Sequence, residues 1–260
     1  MVTIAFINQK GGVGKTTTAV EIASRFAKSG VKTLSIDADP QANMTYIYGV
    51  NPDQEGQHNL KEVFAKETSL KDAVIKTAEG VDLVPNNILM SNADRMFVGV
   101  NSMHLLRNAI KTVSSEYDVC IIDAPPTLGI INWNVLIAAD YLIVPVNANA
   151  LSIQGLKALS ETINEVKEEA NPSLEILGLL VTRYNPRTRL SKEAVPDLEM
   201  ISSSYLSTKV FGAKIRQSVA IEDAQANRNS TAKGKRTAIG KDYDALFDEI
   251  AEELKKEGRL

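Results

Sequence analysis

The feature that most constrains the fold is a glycine-rich octet near the start of the chain, Lys10-Gly-Gly-Val-Gly-Lys-Thr-Thr17. It follows an apolar run, Thr3–Ile7, that predicts a buried strand. It precedes apolar residues at helical spacing, which predict a helix that begins near Lys15. Glycines let the loop between these elements turn sharply and keep its backbone N–H groups uncovered. The order of strand, glycine loop and helix therefore predicts an α/β fold with an anion-binding loop.

Further short apolar runs alternate with helical patterns along the chain. Because the runs are apolar at consecutive positions, we expect strands covered on both faces, as in a parallel sheet with crossover helices. The predicted strands are Thr33–Ile36, Val81–Val84, Val119–Ile122, Tyr141–Val146 and Ile176–Val181. Helical spacing runs from Leu156 to Val166 and over Asp242–Lys256, whereas Asn51–Asn101 predicts helices and loops at one edge of the sheet. No repeat or linker divides the chain, so we expect a single domain over residues 1–260.

Composition excludes several function classes. The chain has 260 residues, a net charge of −3 and one cysteine, Cys120, inside an apolar run. One cysteine supplies neither an intrachain disulfide nor a thiolate metal site. No uncharged apolar run approaches the ~20 residues that span a bilayer, and no signal sequence precedes Val2. These features predict a soluble, cytoplasmic protein.

The octet has the residues that a triphosphate site needs. Its three glycines allow the backbone to approach the phosphates, a lysine reaches the β and γ phosphates, and a threonine hydroxyl binds Mg²⁺. The predicted nucleotide-binding residues are Lys10, Gly11, Gly12, Val13, Gly14, Lys15, Thr16 and Thr17. The octet therefore predicts an ATPase that uses ATP and Mg²⁺.

Carboxylates follow two of the predicted strands. Asp37 and Asp39 come after Thr33–Ile36, and Asp123 comes directly after Val119–Ile122. Because parallel strands end at the same edge of a sheet, we expect these acids to lie beside the octet. Asp123 is predicted to hold Mg²⁺ through water, Asp37 to support the metal, and Asp39 to position the attacking water.

The octet, with its additional Lys10, resembles the deviant Walker A box of the ParA/MinD family of P-loop ATPases. Asp37-Ala-Asp-Pro-Gln41 and Asp123-Ala-Pro-Pro126 resemble the switch segments of that family. The resemblance thins between Asn51 and Asn101. It implies a three-layer P-loop NTPase fold, with helices on both faces of a twisted, mostly parallel sheet. It also implies that Lys10 crosses an ATP-bound sandwich homodimer, that Lys10, Lys15 and Asp39 are catalytic, and that hydrolysis is slow.

Two later segments resemble the partition, or ParA, branch of this family. Val181–Thr188 resembles a strand end that in this branch is followed by a basic, DNA-contacting surface, and Asn185 lies at the position expected to contact the base. Val210–Val219 resembles the adenine-edge loop of the branch. It departs from the usual pattern because Arg216 replaces a proline and Gln217 replaces an arginine.

The charge distribution is uneven. Residues 183–241 include 12 basic and 5 acidic residues, a charge of +7, so the remainder carries −10. Such asymmetry predicts a polyanion-binding face, although a solvated basic surface would have the same composition. The predicted DNA-binding residues are Arg183, Arg187, Arg189, Lys209, Arg216, Lys233, Lys235 and Arg236. We therefore expect a nucleoid-associated dimer that binds double-stranded DNA nonspecifically and is released when a ParB-like protein stimulates ATP hydrolysis.

Three alternatives share this nucleotide-binding pattern. A MinD-like membrane ATPase needs a basic amphipathic C-terminal helix, but residues 242–260 contain seven acidic and three basic residues. We therefore expect no membrane partner. An iron–sulfur carrier or reductase needs several cysteine ligands, which Cys120 alone does not provide. A ligase-like synthetase needs a substrate pocket, for which the sequence offers no candidate, and this alternative stays open.

Overall fold

The structure, a computed structural model, describes residues 1–148, 153–232 and 237–260, apart from the side chains at positions 153, 190 and 192. Within these residues one sheet contains eight strands. They are β1 Val2–Phe6, β2 Thr33–Asp37, β3 Ile75–Lys76, β4 Asp82–Val84, β5 Val119–Asp123, β6 Tyr141–Asn147, β7 Glu175–Tyr184 and β8 Val210–Arg216. Their order is β3-β4-β2-β5-β1-β6-β7-β8, and only the β3–β4 pair is antiparallel.

Helices connect the strands and cover both faces of the sheet. They are α1 Lys15–Lys28, α2 Asn43–Ile47, α3 Leu60–Phe64, α4 Ala93–Met96, α5 Leu105–Lys111, α6 Ile130–Ala138, α7 Ile153–Glu169, α8 Arg189–Tyr205, α9 Val219–Ala226 and α10 Ala238–Lys256. Two 3-10 turns lie at Ile88–Asn92 and Val100–His104. None of the helices in the described ranges is long and apolar enough to cross a membrane.

The sheet has an apolar core on each face because successive residues of a strand point in opposite directions. On one face Ile4 and Phe6 pack in a cluster with residues of α1 and α10. On the other face Ala5 and Ile7 pack in a cluster with residues of α5, α6, α7 and α8. This three-layer α/β arrangement is the predicted P-loop NTPase fold.

The strand predictions from sequence are confirmed. All six predicted strands are present, and α1 begins at Lys15 as expected. The region between Asn51 and Asn101 contains short helices, loops and the strand β4, as predicted, together with the two-residue strand β3, which was not predicted. The last helix begins at Ala238 instead of Asp242, because the Thr237 side chain accepts a hydrogen bond from the Gly240 N–H at 3.0 Å and caps it earlier.

The sequence predictions differ from the structure at two elements beside β7. Val210–Arg216, which was interpreted as the start of an adenine-edge loop, is the edge strand β8, with Phe211, Ala213 and Ile215 buried on one face. Helix α8 was not predicted at all. Pro196 lies inside it, and prolines usually mark the ends of helices. Both elements shape the carboxyl edge of the sheet near β7.

Candidate functional site

The octet forms the loop between β1 and α1. Gly12 and Gly14 have φ angles of 72° and 87°, a region that glycine adopts far more readily than other residues. A Cβ atom at Gly11 or Gly12 would meet no atom within 4 Å, so this part of the loop borders open space. No side chain caps the start of α1. The helix N-terminus and the glycine backbone therefore form a site suited to an anion.

Side chains from neighbouring strands hold this loop in place. The Asn8 amide donates a hydrogen bond to the Pro145 carbonyl at 2.7 Å and accepts one from the Lys10 N–H at 2.9 Å. The Thr182 hydroxyl donates to the Val13 carbonyl at 2.9 Å. The loop is thus anchored to β6 and β7 at both of its sides.

The two lysines of the octet have different environments. Lys15 is buried, and its ammonium donates a hydrogen bond to the Lys10 carbonyl at 3.3 Å. Burial lowers the pKa of Lys15, and the nearby carboxylates of Asp123 and Asp39 oppose this effect. The side chain of Lys10, by contrast, is exposed. Lys15 therefore contacts the backbone of its own loop, whereas the side chain of Lys10 is exposed at the surface.

Asp123 ends β5 directly beside the octet. It pairs in register with Phe6 of β1 and Asp37 of β2. The side chain is fully buried, and neither carboxylate oxygen has a hydrogen-bond partner among the described residues. Burial, followed by the charge of Asp37, raises the pKa of Asp123 well above its usual range, and the neighbouring Thr16 hydroxyl and then Lys15 act in the opposite direction. A buried carboxyl without partners is costly unless a cation completes the site.

Asp37 and Asp39 differ in how their carboxylates are bonded. One oxygen of Asp37 accepts hydrogen bonds from the Thr45 N–H at 2.8 Å and the Thr45 hydroxyl at 2.7 Å, and the other accepts the Asp39 N–H at 3.2 Å. Burial nevertheless raises the pKa of Asp37 to about 7. Within the described ranges the Asp39 carboxylate accepts one hydrogen bond, from the Gln41 N–H at 3.0 Å, and burial raises the pKa of this carboxyl as well. Asp37 therefore holds the start of α2 in place, and the carboxylate of Asp39 can still accept hydrogen bonds from a ligand.

These residues fit Mg²⁺ only as part of a larger ligand set. Among the described residues, no group of three or more His, Cys, Asp or Glu side chains is arranged to hold a metal by itself. Mg²⁺ prefers oxygen ligands and commonly binds through one or two carboxylates together with phosphates and water. The partnerless oxygens of Asp123 and the neighbouring Thr16 hydroxyl fit that role. Asp37 is better placed to support the site than to bind the metal directly.

Two adjoining clefts lie along this edge. The first, of about 470 Å³, is lined by Gly11, Gly12, Lys15, Thr16, Asp39 and Pro126 among others. The second, of about 190 Å³, has a mixed lining. Its apolar part is formed by Val13, Ile215, Ile221, Ile239 and the ring of Tyr243, and its polar part includes Arg183, Arg216, Gln217 and Glu222. Phosphates suit the first cleft because of its glycine loop and lysine, and a base suits the second cleft, where apolar side chains lie beside polar ones. Lys10 lines neither cleft.

Asn185 lies outside both clefts. Its side chain accepts a hydrogen bond from the Arg187 N–H at 3.0 Å, which shapes the turn before α8. It lines a third cavity of about 480 Å³ with Tyr184, Arg187, Lys214 and Arg216. The predicted contact between Asn185 and the base therefore gains no support from this geometry, whereas the basic lining of the third cavity suits an anion.

The predicted DNA-binding residues do not form one continuous cluster. Arg187 and Arg216 share the third cavity, and Arg183 lies in the two clefts. Three basic residues pair with acids: Arg189 with Glu193, Lys209 with Glu253, and Arg216 with Asp242, each at 2.6 Å. The Asp242 carboxylate raises the pKa of Arg216. Lys233, Lys235 and Arg236 lie outside the described residues.

Sequence reasoning missed several residues of the two clefts. Gln225 of α9 lines both clefts and donates a hydrogen bond to the Thr17 hydroxyl at 2.9 Å. Thr182 anchors the octet, and Tyr243 lines the second cleft. No local motif marks these residues, because they reach the site through the packing of β7, α9 and α10.

The chain is similar to known proteins over most of its length. A family model described as an AAA domain matches residues 1–176. The chromosome partitioning protein ParA of Caulobacter vibrioides is 33% identical over 225 residues, which cover 85% of this chain and 82% of that protein. The chromosome-partitioning ATPase Soj of Thermus thermophilus is 33% identical over 248 residues, which cover 95% of this chain and 94% of Soj.

A solved structure agrees over nearly the whole fold. It is described as cobyrinic acid a,c-diamide synthase from Mycobacterium smegmatis with bound ATP analog and magnesium. It superposes with a TM-score of 0.88 and 30% identity, covering 98% of this chain and 96% of that one. Because the domain model matches more than half of the sequence and both partition proteins align over most of their length, this chain belongs to the ParA-type family of P-loop ATPases.

Proposed function

We propose that this protein is a DNA-partitioning ATPase whose ATP-bound homodimer binds DNA nonspecifically and is released by partner-stimulated hydrolysis. The observation that carries the proposal is the open glycine loop, with buried Lys15 between Asp39 and the partnerless carboxylate of Asp123. Cations and anions alternate around one cleft at the carboxyl edge of a parallel sheet, where nucleotides bind in such folds.

The residues of the cleft have separate roles in this proposal. The N–H groups of Gly11, Gly12 and Gly14 and the Lys15 ammonium bind the phosphates. Thr16 and Asp123 hold Mg²⁺, and Asp37 supports them by fixing the start of α2. When bound, Mg²⁺ neutralises phosphate charge that would otherwise oppose the reaction. Asp39 accepts a proton from the attacking water, for which its raised pKa is an advantage at neutral pH.

Lys10 is assigned to the dimer. It is exposed and lines neither cleft of its own subunit, although its N–H group is fixed by Asn8. A cation held at the mouth of the loop is in a position to reach the phosphates of a second subunit that faces the cleft. The site is then complete only in the dimer, which explains why we expect slow hydrolysis by a single subunit.

The DNA-binding surface is assigned to the edge formed by β7, β8 and α8. Arg187, Lys214 and Arg216 share one cavity there, and Arg189, whose side chain is exposed, lies at the start of α8. Contacts between such side chains and phosphates give nonspecific, salt-dependent binding. Pairing two subunits would double the number of contacts and raise the overall affinity. The names of the Caulobacter and Thermus relatives support partition as the process, with a ParB-like protein as the stimulating partner.

A synthase function is the second candidate, because one superposed structure carries that name. Amide formation from glutamine commonly uses a nucleophilic cysteine. The one cysteine of this chain, Cys120, is buried, and burial raises the pKa of its thiol. The basic cavity near β8 is also unnecessary for a synthase, so we favour partition.

DNA binding under different nucleotide states tests the proposal. Binding to a long duplex of random sequence is measured against salt concentration with ATP, ADP or no nucleotide. We expect tight binding only with ATP, and a log–log salt slope of about −0.9 for each phosphate contacted. Equal binding in all three states would overturn the switch, and no DNA binding with normal ATP binding would favour the synthase.

Three variants make this test specific. Lys10→Ala should retain ATP binding but lose dimer formation and DNA binding, whereas Lys111→Ala, on α5 and outside the clefts, should match the wild type. Arg187→Glu should weaken DNA binding in the ATP state without changing dimerisation, because Arg187 lines the cavity that also contains Lys214 and Arg216. ATP-dependent attachment to anionic liposomes in the absence of DNA binding would instead support a membrane function.

A further inference from the structure

Arg183 has an unusual backbone conformation at the end of β7. Its φ is 49°, in the left-handed region that side chains with a Cβ rarely adopt. The pairing of β7 with β8 shifts register between Val181 and Tyr184, so Arg183 lies in a local irregularity of the strand. Such irregularities redirect side chains out of the normal alternation of a strand. The neighbouring Thr182 is fixed to the octet by its hydrogen bond to the Val13 carbonyl.

This conformation places Arg183 at the boundary between the two clefts. Of the described residues, four line both clefts, namely Gly14, Thr17, Arg183 and Gln225. Arg183 is the only cation among these four. The phosphate loop lies on one side of the boundary, and the second cleft, with Ile215, Ile221 and Tyr243, lies on the other.

The charge of Arg183 is not compensated within the described part of the chain. Its guanidinium makes no hydrogen bond or ion pair there, whereas Arg189, Lys209 and Arg216 each pair with a carboxylate. A strained residue that presents an unpaired cation to a cleft is typical of a ligand contact.

We infer that Arg183 binds the α-phosphate of the nucleotide in its own subunit instead of contacting DNA. A nucleotide with its β and γ phosphates in the octet and its base in the second cleft crosses the boundary with its ribose and α-phosphate. Of these two groups, the phosphate is the one that a guanidinium recognises by charge-assisted hydrogen bonds. This inference rests on the proposed binding of ATP and changes the role predicted for Arg183 from sequence.

Calorimetric titration of Arg183→Gly and Arg183→Lys with ATP and with ADP tests the inference. Glycine adopts a φ of 49° without strain, so Arg183→Gly removes the guanidinium without adding backbone strain. We expect Kd to rise about 10-fold, which is the lower range for a hydrogen bond to a charged group. The rise should be equal for ATP and ADP, because both contain the α-phosphate. Arg183→Lys should lose less affinity, since it keeps the positive charge.

DNA binding at saturating ATP separates the two roles of the basic residues. Arg183→Gly should then bind DNA as the wild type does, whereas Arg187→Ala should bind DNA more weakly and keep its nucleotide affinity. Unchanged nucleotide affinity in Arg183→Gly, a loss restricted to ATP, or weaker DNA binding at saturating ATP would each overturn the inference. Failure of the wild-type protein to bind either nucleotide would overturn the proposed function itself.

Discussion

Two arginine–glutamate pairs in this molecule have nearly the same local geometry and opposite surroundings. Glu21 and Arg25 lie one turn apart on α1, and Arg189 and Glu193 lie one turn apart on α8, each with an N–O distance of 2.6 Å. The side chains of the first pair are 4% and 2% exposed for arginine and glutamate, and those of the second are 90% and 58% exposed. The pairs differ mainly in their access to water.

The buried pair is part of a network that joins the phosphate-loop helix to the C-terminal helix. Arg25 also donates hydrogen bonds to the Gly240 carbonyl at 2.8 Å and to Asp244 at 3.0 Å, and Glu21 accepts the Thr231 N–H at 2.8 Å. The exposed pair has no comparable set of partners among the described residues. Buried charges such as those of Glu21 and Arg25 therefore keep their partners, because water cannot replace them. Exposed charges such as that of Arg189 can exchange their partner for an incoming anion.

Arg25→Leu should have the largest effect on stability. It leaves the buried Glu21 carboxylate without its cation and the Gly240 carbonyl without a donor, so we expect the free energy of unfolding to fall by about 3–5 kcal/mol. Urea denaturation followed by circular dichroism measures this change. The double variant Glu21→Leu with Arg25→Leu should lose less than the sum of the two single variants, because neither charge is then left alone. A change below about 1 kcal/mol in Arg25→Leu would show that burial does not distinguish the pairs.

Asp39→Asn tests a buried charge through the rate of ATP hydrolysis instead of the free energy of unfolding. The asparagine keeps the shape of the side chain but accepts no proton, so we expect the single-turnover rate of ATP hydrolysis to fall about 10²–10⁴-fold. Affinity for ATP should stay the same or increase, because a negative charge near the phosphates is removed. Asp53→Asn, an exposed aspartate outside the clefts, is the matched control and should hydrolyse ATP normally. Parallel losses of ATP binding and turnover would mean that Asp39 only supports the loop.

The common position of the buried groups beside the octet was predictable from sequence, but the buried Glu21–Arg25 pair was not. The strands of a parallel sheet end at one edge, and Phe6, Asp37 and Asp123 pair in register there, so short spacings in the sequence determine which residues are neighbours. The roles of the octet, Asp39 and Asp123 stay predictions. The hydrogen bonds of Asp37 to Thr45, eight residues later, were not predictable from that rule. They depend on the position of α2, a five-residue helix with no strong pattern.

The basic face could not be predicted at the level of single residues. Charge counting identified the region, but Arg216 pairs with Asp242 and Lys209 pairs with Glu253 across elements that are distant in sequence. The position of Arg183 depends on an irregularity in the pairing of β7 with β8, and no residue type in the sequence predicts this irregularity. The alternating apolar residues Phe211, Ala213 and Ile215 indicate a strand, β8. The segment was interpreted as a loop because it resembles the adenine-edge loop of the family.

A pH dependence should accompany the buried carboxylates. The pKa of Asp37 is about 7 in the folded protein and about 3.9 for an unperturbed aspartate. The native state therefore binds more protons than the unfolded state between these pH values, so the free energy of unfolding should fall as pH rises from about 4 to about 7. One such group contributes a slope of at most ~1.4 kcal/mol per pH unit. Urea denaturation without nucleotide and with EDTA measures the slope, which should be smaller in Asp37→Asn; identical slopes would exclude Asp37 as a source.

Glu193→Gln should have the smallest effect on stability, and it should increase the affinity for DNA. The pair with Arg189 is exposed, so we expect the free energy of unfolding to change by less than about 0.5 kcal/mol. Removing the acid leaves the Arg189 guanidinium available for a phosphate, and DNA affinity in the ATP state should rise by about threefold or less because salt screens exposed charges. Fluorescence anisotropy with labelled duplex measures this rise, and Glu161→Gln on α7 controls for the change in net charge. If Glu193→Gln destabilised the protein as strongly as Arg25→Leu, the exposed pair would be structural, and Arg189 would not be available to bind DNA.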